Sequence, residues 1–231
     1  LFSSPALYAQ STDAEATYLF INTQASGTLE KELNQQAAQG WRLLLLPKGY
    51  GSDSMGALLG KAEDEKKYEY RVLAAKRIGT LENEFKDAVK QGFDYRGVIT
   101  TERILVGGET LLVLERTQGQ TLAQNEYVFL NTKKEATLEK EMETAVSQGY
   151  VPVGFTRTED RSVKQQMFGM MAGSPMELTM ILSRKRETPA SEMGQREYKI
   201  LTTYKIGTLE KEMNQAAKEG YRFYYAAPNT V

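Results

Sequence analysis

One short phrase occurs four times along the chain. Thr28-Leu29-Glu30 leads to Gly40-Trp41, Thr80-Leu81-Glu82 to Gly92-Phe93, Thr137-Leu138-Glu139 to Gly149-Tyr150, and Thr208-Leu209-Glu210 to Gly220-Tyr221. In every copy the Leu and the Gly stand 11 residues apart, while the distance between copies varies. A fixed internal spacing inside variable connections is the mark of one supersecondary unit used repeatedly, so the chain must be read as an array before any other fold is tried.

Each copy has physical reasons to be a helix of about three turns. The Thr is placed to accept a bond from a first-turn amide, and the Glu after the Leu sits where the helix dipole favours negative charge. Apolar residues recur at helical spacing, as in Leu81, Phe85, Ala88 and Val89 or Leu138, Met142, Ala145 and Val146. The Gly can take the left-handed conformation that stops a helix. The narrow, partly alanine faces predict helices lying close against a sheet.

Strand-like runs flank each helix. Before the helices come Tyr18 to Ile21, Tyr68 to Ala74, Tyr127 to Leu130 and Tyr198 to Leu201; after them come Trp41 to Leu46, Phe93 to Ile99, Tyr150 to Thr156 and Tyr221 to Tyr225. Further strands are expected at Thr110 to Arg116 and Glu177 to Arg186. The first and third copies share Tyr-x-Phe-x-Asn-Thr openings, and the second and fourth share Ile-Gly-Thr-Leu-Glu, which implies duplication of a two-unit module. The predicted fold is therefore α+β: four β-α-β(-β) units forming two ferredoxin-like, split βαβ modules, with helices packed on antiparallel sheets. Residues 17–117 make the first module, 118–125 a linker and 126–231 the second, whose final strand is missing.

Composition removes much chemistry. The 231 residues contain no His and no Cys. Ser-His-Asp and Cys-His constellations, thiolate redox chemistry and the usual zinc or copper ligands are excluded within one chain. The 29 basic and 30 acidic residues leave a net charge of −1, and no segment supplies the basic stripe that nucleic acid requires. Gly51 to Lys61 lacks the first Gly of a phosphate loop, and Ala62 replaces the hydroxyl residue that would hold Mg²⁺. Glu30, Glu82, Glu139 and Glu210 are explained by the helix dipole, and Trp41, Phe93, Tyr150 and Tyr221 by core filling. No residue stands out from the sequence as catalytic, metal-ligating or cofactor-binding.

Residues 1–16 resemble the tail of a secretory signal or a disordered arm, with an apolar stretch and small residues before Ser11-Thr12-Asp13, and cleavage is expected after Ala9. That places the protein in the periplasm or outside the cell, and the absence of Cys is compatible with export.

Helix residues Leu33-Asn34 followed by Gly40-Trp41, a hydrophobic strand and a strand ending in basic residues such as Lys76-Arg77 resemble the small bacterial domain-of-unknown-function family 4177. Met213-Asn214 with Gly220-Tyr221 repeats the pattern, whereas Lys86 and Glu143 replace the Asn in the middle copies. Glu115-Arg116 and Arg184-Lys185-Arg186 echo the basic ending. The resemblance covers most of residues 18–226 and implies the fold without an activity.

Two features point to contact with something else. Met55, Leu58 and Leu59 in one Gly-rich stretch, and Met167, Phe168, Met170 and Met171 in the equivalent one, read as apolar loop tips suited to a protein partner or lipid surface. The last unit lacks a final strand, so Tyr221, Phe223 and Tyr225 are candidates for edge pairing, giving an oligomer or filament by strand addition. The functional expectation is a non-catalytic binding or assembly module. The competing classes are a small-ligand-binding protein with a tyrosine-rich cleft between modules and, third, a carboxylate- or Mg-dependent enzyme.

Overall fold

The computed structural model describes residues 18–50, 54–62, 64–101, 109–159, 176–187, 196–201 and 206–224. Three successive segments each run strand, helix, strand, strand. The first holds β1 (Tyr18–Thr23), α1 (Ser26–Ala37), β2 (Trp41–Leu45) and β3 (Met55–Lys61). The second holds β4 (Tyr68–Ala75), α2 (Ile78–Lys90), β5 (Asp94–Thr101) and β6 (Glu109–Thr117). The third holds β7 (Asn125–Thr132), α3 (Glu135–Ser147), β8 (Val151–Glu159) and β9 (Met176–Lys185), and a further helix, α4 (Ile206–Lys218), follows.

The fold is α+β, but its sheets are divided differently from the sequence expectation. Each segment makes its own three-stranded sheet, ordered β1-β3-β2, β4-β6-β5 and β7-β9-β8, with every pairing antiparallel. Two units do not share one sheet. The difference arises at Met55–Lys61, read from sequence as a loop tip and found to be the central strand of the first sheet. Met55, Ala57 and Leu59 alternate inward onto α1, so that sheet is complete before Tyr68 begins and β4 is free to open the next. The intervening glycines are close approaches: a Cβ on Gly56 would lie 2.8 Å from the Pro47 carbonyl and 2.9 Å from Phe20.

The helices also begin earlier than expected. Thr28, Thr80 and Thr137 lie inside the first turn, and none acts as a side-chain cap. Extended residues Ala25, Arg77 and Lys134 take the N-cap position, and their carbonyls accept the amides of Leu29, Leu81 and Leu138 at 3.0–3.2 Å. The helix stops match the expectation: Gly40, Gly92, Gly149 and Gly220 all have φ between 81° and 94°.

Helices and sheets alternate in a stack. α1 buries Leu29 and Leu33 among β1–β3 residues, and the same core takes in Tyr68, Tyr70, Leu111 and Val113 from the second sheet. α2 packs between the other face of the second sheet, at Leu112 and Leu114, and Tyr127, Phe129 and Ile181 of the third. α3 lies on Leu130, Met180 and Leu182, with Tyr198 and Ile200 against that core. A helix covered on two sides buries more apolar surface than its narrow stripe suggests, at about 1.5–3 kcal/mol for each fully buried Leu or Phe.

The second strand of each segment bulges at one equivalent place, between Leu43 and Leu45, Tyr95 and Gly97, and Pro152 and Gly154. Beyond the bulge, Gly97 and Gly154 make room for the preceding segment. A Cβ would lie 2.6 Å from Leu46 at the first and 2.3 Å from the Tyr95 hydroxyl at the second.

Candidate functional site

A joint recurs where each helix ends. The aromatic after the stopping Gly is capped by a cation from the central strand: Lys61 lies 4.2 Å from the Trp41 ring, Arg116 4.5 Å from Phe93 and Arg184 4.7 Å from Tyr150. The same cations donate to the last-turn carbonyls of Gln39, Gln91 and Gln148 at 2.8–3.1 Å, where the helix dipole favours positive charge. Arg116 and Arg184 also pair with first-strand acids, Glu69 at 2.6 Å and Glu126 at 2.5 Å. The Arg184 bond holds the Glu126 carboxyl below its usual range.

The chain around α4 carries the same residues at the same offsets. Glu69, Glu126 and Glu197 each precede the Leu of their helix by 12 residues (81 − 69, 138 − 126, 209 − 197), and Phe93, Tyr150 and Tyr221 follow it by 12. Tyr198 thus corresponds to Tyr70 and Tyr127, and Lys199 to Arg71, which lies 4.6 Å from the Phe93 ring. Among the described residues, however, neither 196–201 nor 221–224 is paired in a sheet. Glu197 accepts the Tyr221 hydroxyl at 2.6 Å in place of an Arg, and that bond raises the Tyr221 pKa above its ordinary value. Lys199 is turned to Glu219 at 2.7 Å. Between the two stretches lies a cavity of about 520 Å³, lined by Arg196, Glu197, Tyr198, Tyr221, Arg222 and Tyr224.

The Tyr198 hydroxyl exposes the difference most directly. Tyr70 Oη accepts the Leu43 amide at 2.8 Å and donates to Glu115, its cross-strand neighbour on β6, at 2.7 Å. Tyr127 Oη accepts the Tyr95 amide and donates to Asp94, both at 2.9 Å. Tyr198 Oη is buried and has no hydrogen-bond partner among the described residues. The residue corresponding to Leu43 and Tyr95 is Pro152, which has no N–H to offer.

The joint between the first two sheets contains the charged network of the interior. Glu115, 6% exposed, is gripped by Arg42 at 2.8 Å and by Tyr70, with Arg96 at 3.5 Å. Burial, then the Glu115 charge, pushes the Tyr70 hydroxyl far above its ordinary range. Burial and the bond to Asp64 push Tyr68 up to about 12.

The residues singled out from sequence are dispersed. Met55 and Leu59 are buried against α1 and Leu58 is half-buried, so Met55–Lys61 is no loop tip. Met167, Phe168, Met170 and Met171 lie outside the described residues, as does Tyr225. Tyr221 is half-buried and Phe223 is 71% exposed. Sequence reasoning missed Glu197 and Tyr198, although the offsets of twelve and eleven residues from the helix Leu would have found them. Among the described residues no group of three acids gathers as a metal site, and no helix is long and apolar enough to cross a membrane.

Comparison with protein-family models, curated proteins and solved structures gives no match.

Proposed function

We propose that the chain is a non-catalytic binding or assembly module built from four copies of one β-α-β-β unit, and that its fourth copy accepts an extended strand from a partner protein. The observation that carries this is the pair of stretches, Tyr198–Leu201 and Tyr221–Tyr224, that have no sheet partner among the described residues. In the three complete segments the corresponding stretches flank a central strand. An incoming strand supplies main-chain hydrogen bonds to both sides, and its side chains set specificity.

The incoming strand has a definable chemistry. A cation belongs over Tyr221, within reach of Glu197, as Arg116 sits over Phe93 and bonds Glu69. The residue before it belongs beside the Tyr198 hydroxyl and is polar, as Glu115 is beside Tyr70. Apolar residues two and four places before the cation belong on α4, where Leu209 is half-buried and Met213 is 41% exposed. Glu115-Arg116 and Ser183-Arg184 are the chain's own examples.

Export to the periplasm or cell exterior is part of the same reading, supported by the leader-like residues 1–16. Amino-terminal sequencing of the protein from cells tests it, with cleavage after Ala9 the expected result.

The cavity also supports a second reading, in which tyrosine walls hold a small ligand. A synthetic peptide with the sequence of Leu111 to Thr117 separates the two. Strand acceptance predicts slowed amide exchange along both 198–201 and 221–224 on adding the peptide, and a weaker response to a peptide with Glu in place of the Arg. No protection at either stretch overturns the strand reading.

A further inference from the structure

We propose that the protein stacks head to tail on a second copy of itself, α4 of one molecule clamping the β1 edge of the next. The contact uses a different face of α4 from the strand-accepting position and does not depend on that reading.

The template is inside the molecule. Asn34 on α1 accepts the Tyr70 amide through Oδ1 at 2.9 Å and donates Nδ2 to the Tyr70 carbonyl at 2.8 Å. Glu30, one turn earlier, accepts the Val72 amide at 2.7 Å. β4 is an edge strand of its sheet, so these two side chains supply the hydrogen bonds that a neighbouring strand would otherwise make. The apolar part of the joint is Tyr70, which is 3% exposed beneath α1.

The same clamp is present on α4. Glu210 and Asn214 follow Leu209 by one and five residues, as Glu30 and Asn34 follow Leu29. The middle helices carry Lys86 and Glu143 at the Asn position. Both α4 side chains are exposed and have no hydrogen-bond partner among the described residues.

The matching edge is at the other end of the chain. β1 is an edge strand, and its Tyr18 stands opposite Gly60 as Tyr70 stands opposite Glu115. That register turns the Tyr18 N–H and C=O and the Phe20 N–H outward, as it does for Tyr70 and Val72. Tyr18 is 53% exposed and Phe20 39%, though they correspond to residues that the internal joints cover. The chain therefore carries both halves of a joint that it already makes internally. A second copy follows because the clamp residues and the edge they fit belong to one sequence.

Such a contact is heterologous, and repeated addition gives a ring or a filament. It is confined to the helix and β1. Where Gly97 and Gly154 admit the preceding segment, β2 has Leu45, so the strand-on-strand part of the internal joints is not reproduced between molecules.

Sedimentation equilibrium of the 231-residue chain from low to high micromolar concentration tests the proposal. The expected result is concentration-dependent association, weakened about ten-fold or more in the Glu210→Ala, Asn214→Ala double variant at unchanged melting temperature. Because the chain has no Cys, mixing an Asn214→Cys variant with a Tyr18→Cys variant under oxidation reports the contact directly. Disulfide-linked dimers in excess of those formed by either variant alone are expected. A monomer throughout the range, or no excess in the mixture, overturns the proposal. Slow amide exchange at Tyr18 and Phe20 in a monomer also overturns it, by showing that the chain covers its own edge.

Discussion

Phe93 and Tyr221 stand in the same place after their helices, yet their surroundings differ throughout. Phe93 is buried, with the guanidinium groups of Arg71 and Arg116 4.6 and 4.5 Å from its ring, and Arg116 ties the helix end to the first strand through Glu69. Tyr221 is half-buried, with Lys199 5.6 Å from its ring and its hydroxyl turned to Glu197. Among the described residues, what separates the two is the central strand, present beside Phe93 and not beside Tyr221. It supplies the cation, the residue opposite the first-strand tyrosine and the apolar floor of the helix together, so all three differences share one cause.

Truncating the second residue of the helix stripe breaks this comparison most strongly. Phe85 is 1% exposed and packs edge-on to Tyr127 and against Phe129, with centroids 5.0 and 5.1 Å away. Phe85→Ala is expected to cost about 3–5 kcal/mol. Its counterpart Met213 is 41% exposed, and Met213→Ala should cost well under about 1 kcal/mol. Urea unfolding of the two variants checks the contrast, and equal losses would show that α4 already has a complete floor.

The charged joint comes next. Glu115→Ala leaves Arg42 and Arg96 facing each other beside Tyr70, but both guanidinium groups are roughly one-third exposed and can turn to water. The expected loss is about 2–3 kcal/mol, below that of a fully sealed pair. The Tyr70 pKa adds a pH signature. Its folded value lies above the ordinary value of 10.0, so its contribution is complete below pH 10 and is lost as pH rises above it. Tyr127, also raised by burial and then by the Asp94 charge, acts in the same direction. Urea midpoints should fall between pH 9 and pH 11, and Tyr70→Phe should flatten part of that fall.

How far the sequence reveals this structure depends on the kind of signal. The helices were legible because Leu-to-Gly spacing and the positive-φ glycines are local and act through backbone geometry. β3 was not, because Met-Gly-Ala-Leu-Leu-Gly-Lys resembles a flexible tip by composition. Its glycines are places where Phe20, Pro47 and Leu44 press on the strand, and nothing local announces such neighbours. Sheet division was hidden for the same reason, since strand partners are chosen across the fold. Glu30 illustrates the site: the sequence places it in the first turn for the dipole, but α1 begins at Ser26, which puts Glu30 past that turn, and its carboxylate bonds the Val72 amide 42 residues away. The residues around α4 were readable only by carrying offsets from one copy to the next.

A smaller effect tests the joint between the second and third sheets. A Cβ at Gly154 would lie 2.3 Å from the Tyr95 hydroxyl, so Gly154→Ala must displace that ring and should cost about 1–3 kcal/mol. The corresponding position of the first segment, Leu45, is half-exposed, and Leu45→Ala should change stability little. A similar cost at both positions, measured by thermal unfolding, would mean that the outer face of the first sheet is covered as the inner ones are.

The smallest stability effect is the most informative about the strand-accepting position. Glu69 and Glu126 each hold a central-strand Arg, whereas Glu197 holds the Tyr221 hydroxyl and, among the described residues, no cation. Removing the charge by Glu197→Gln keeps a hydrogen-bond acceptor and removes nothing that packs, so the melting temperature should not move measurably. Binding of the Leu111 to Thr117 peptide should nevertheless weaken several-fold, because its Arg loses a charge-assisted partner. A melting temperature that falls as far as it does for Glu69→Gln would show that Glu197 already pairs with a cation in the chain. The asymmetry between the second and fourth copies would then vanish, and strand acceptance with it.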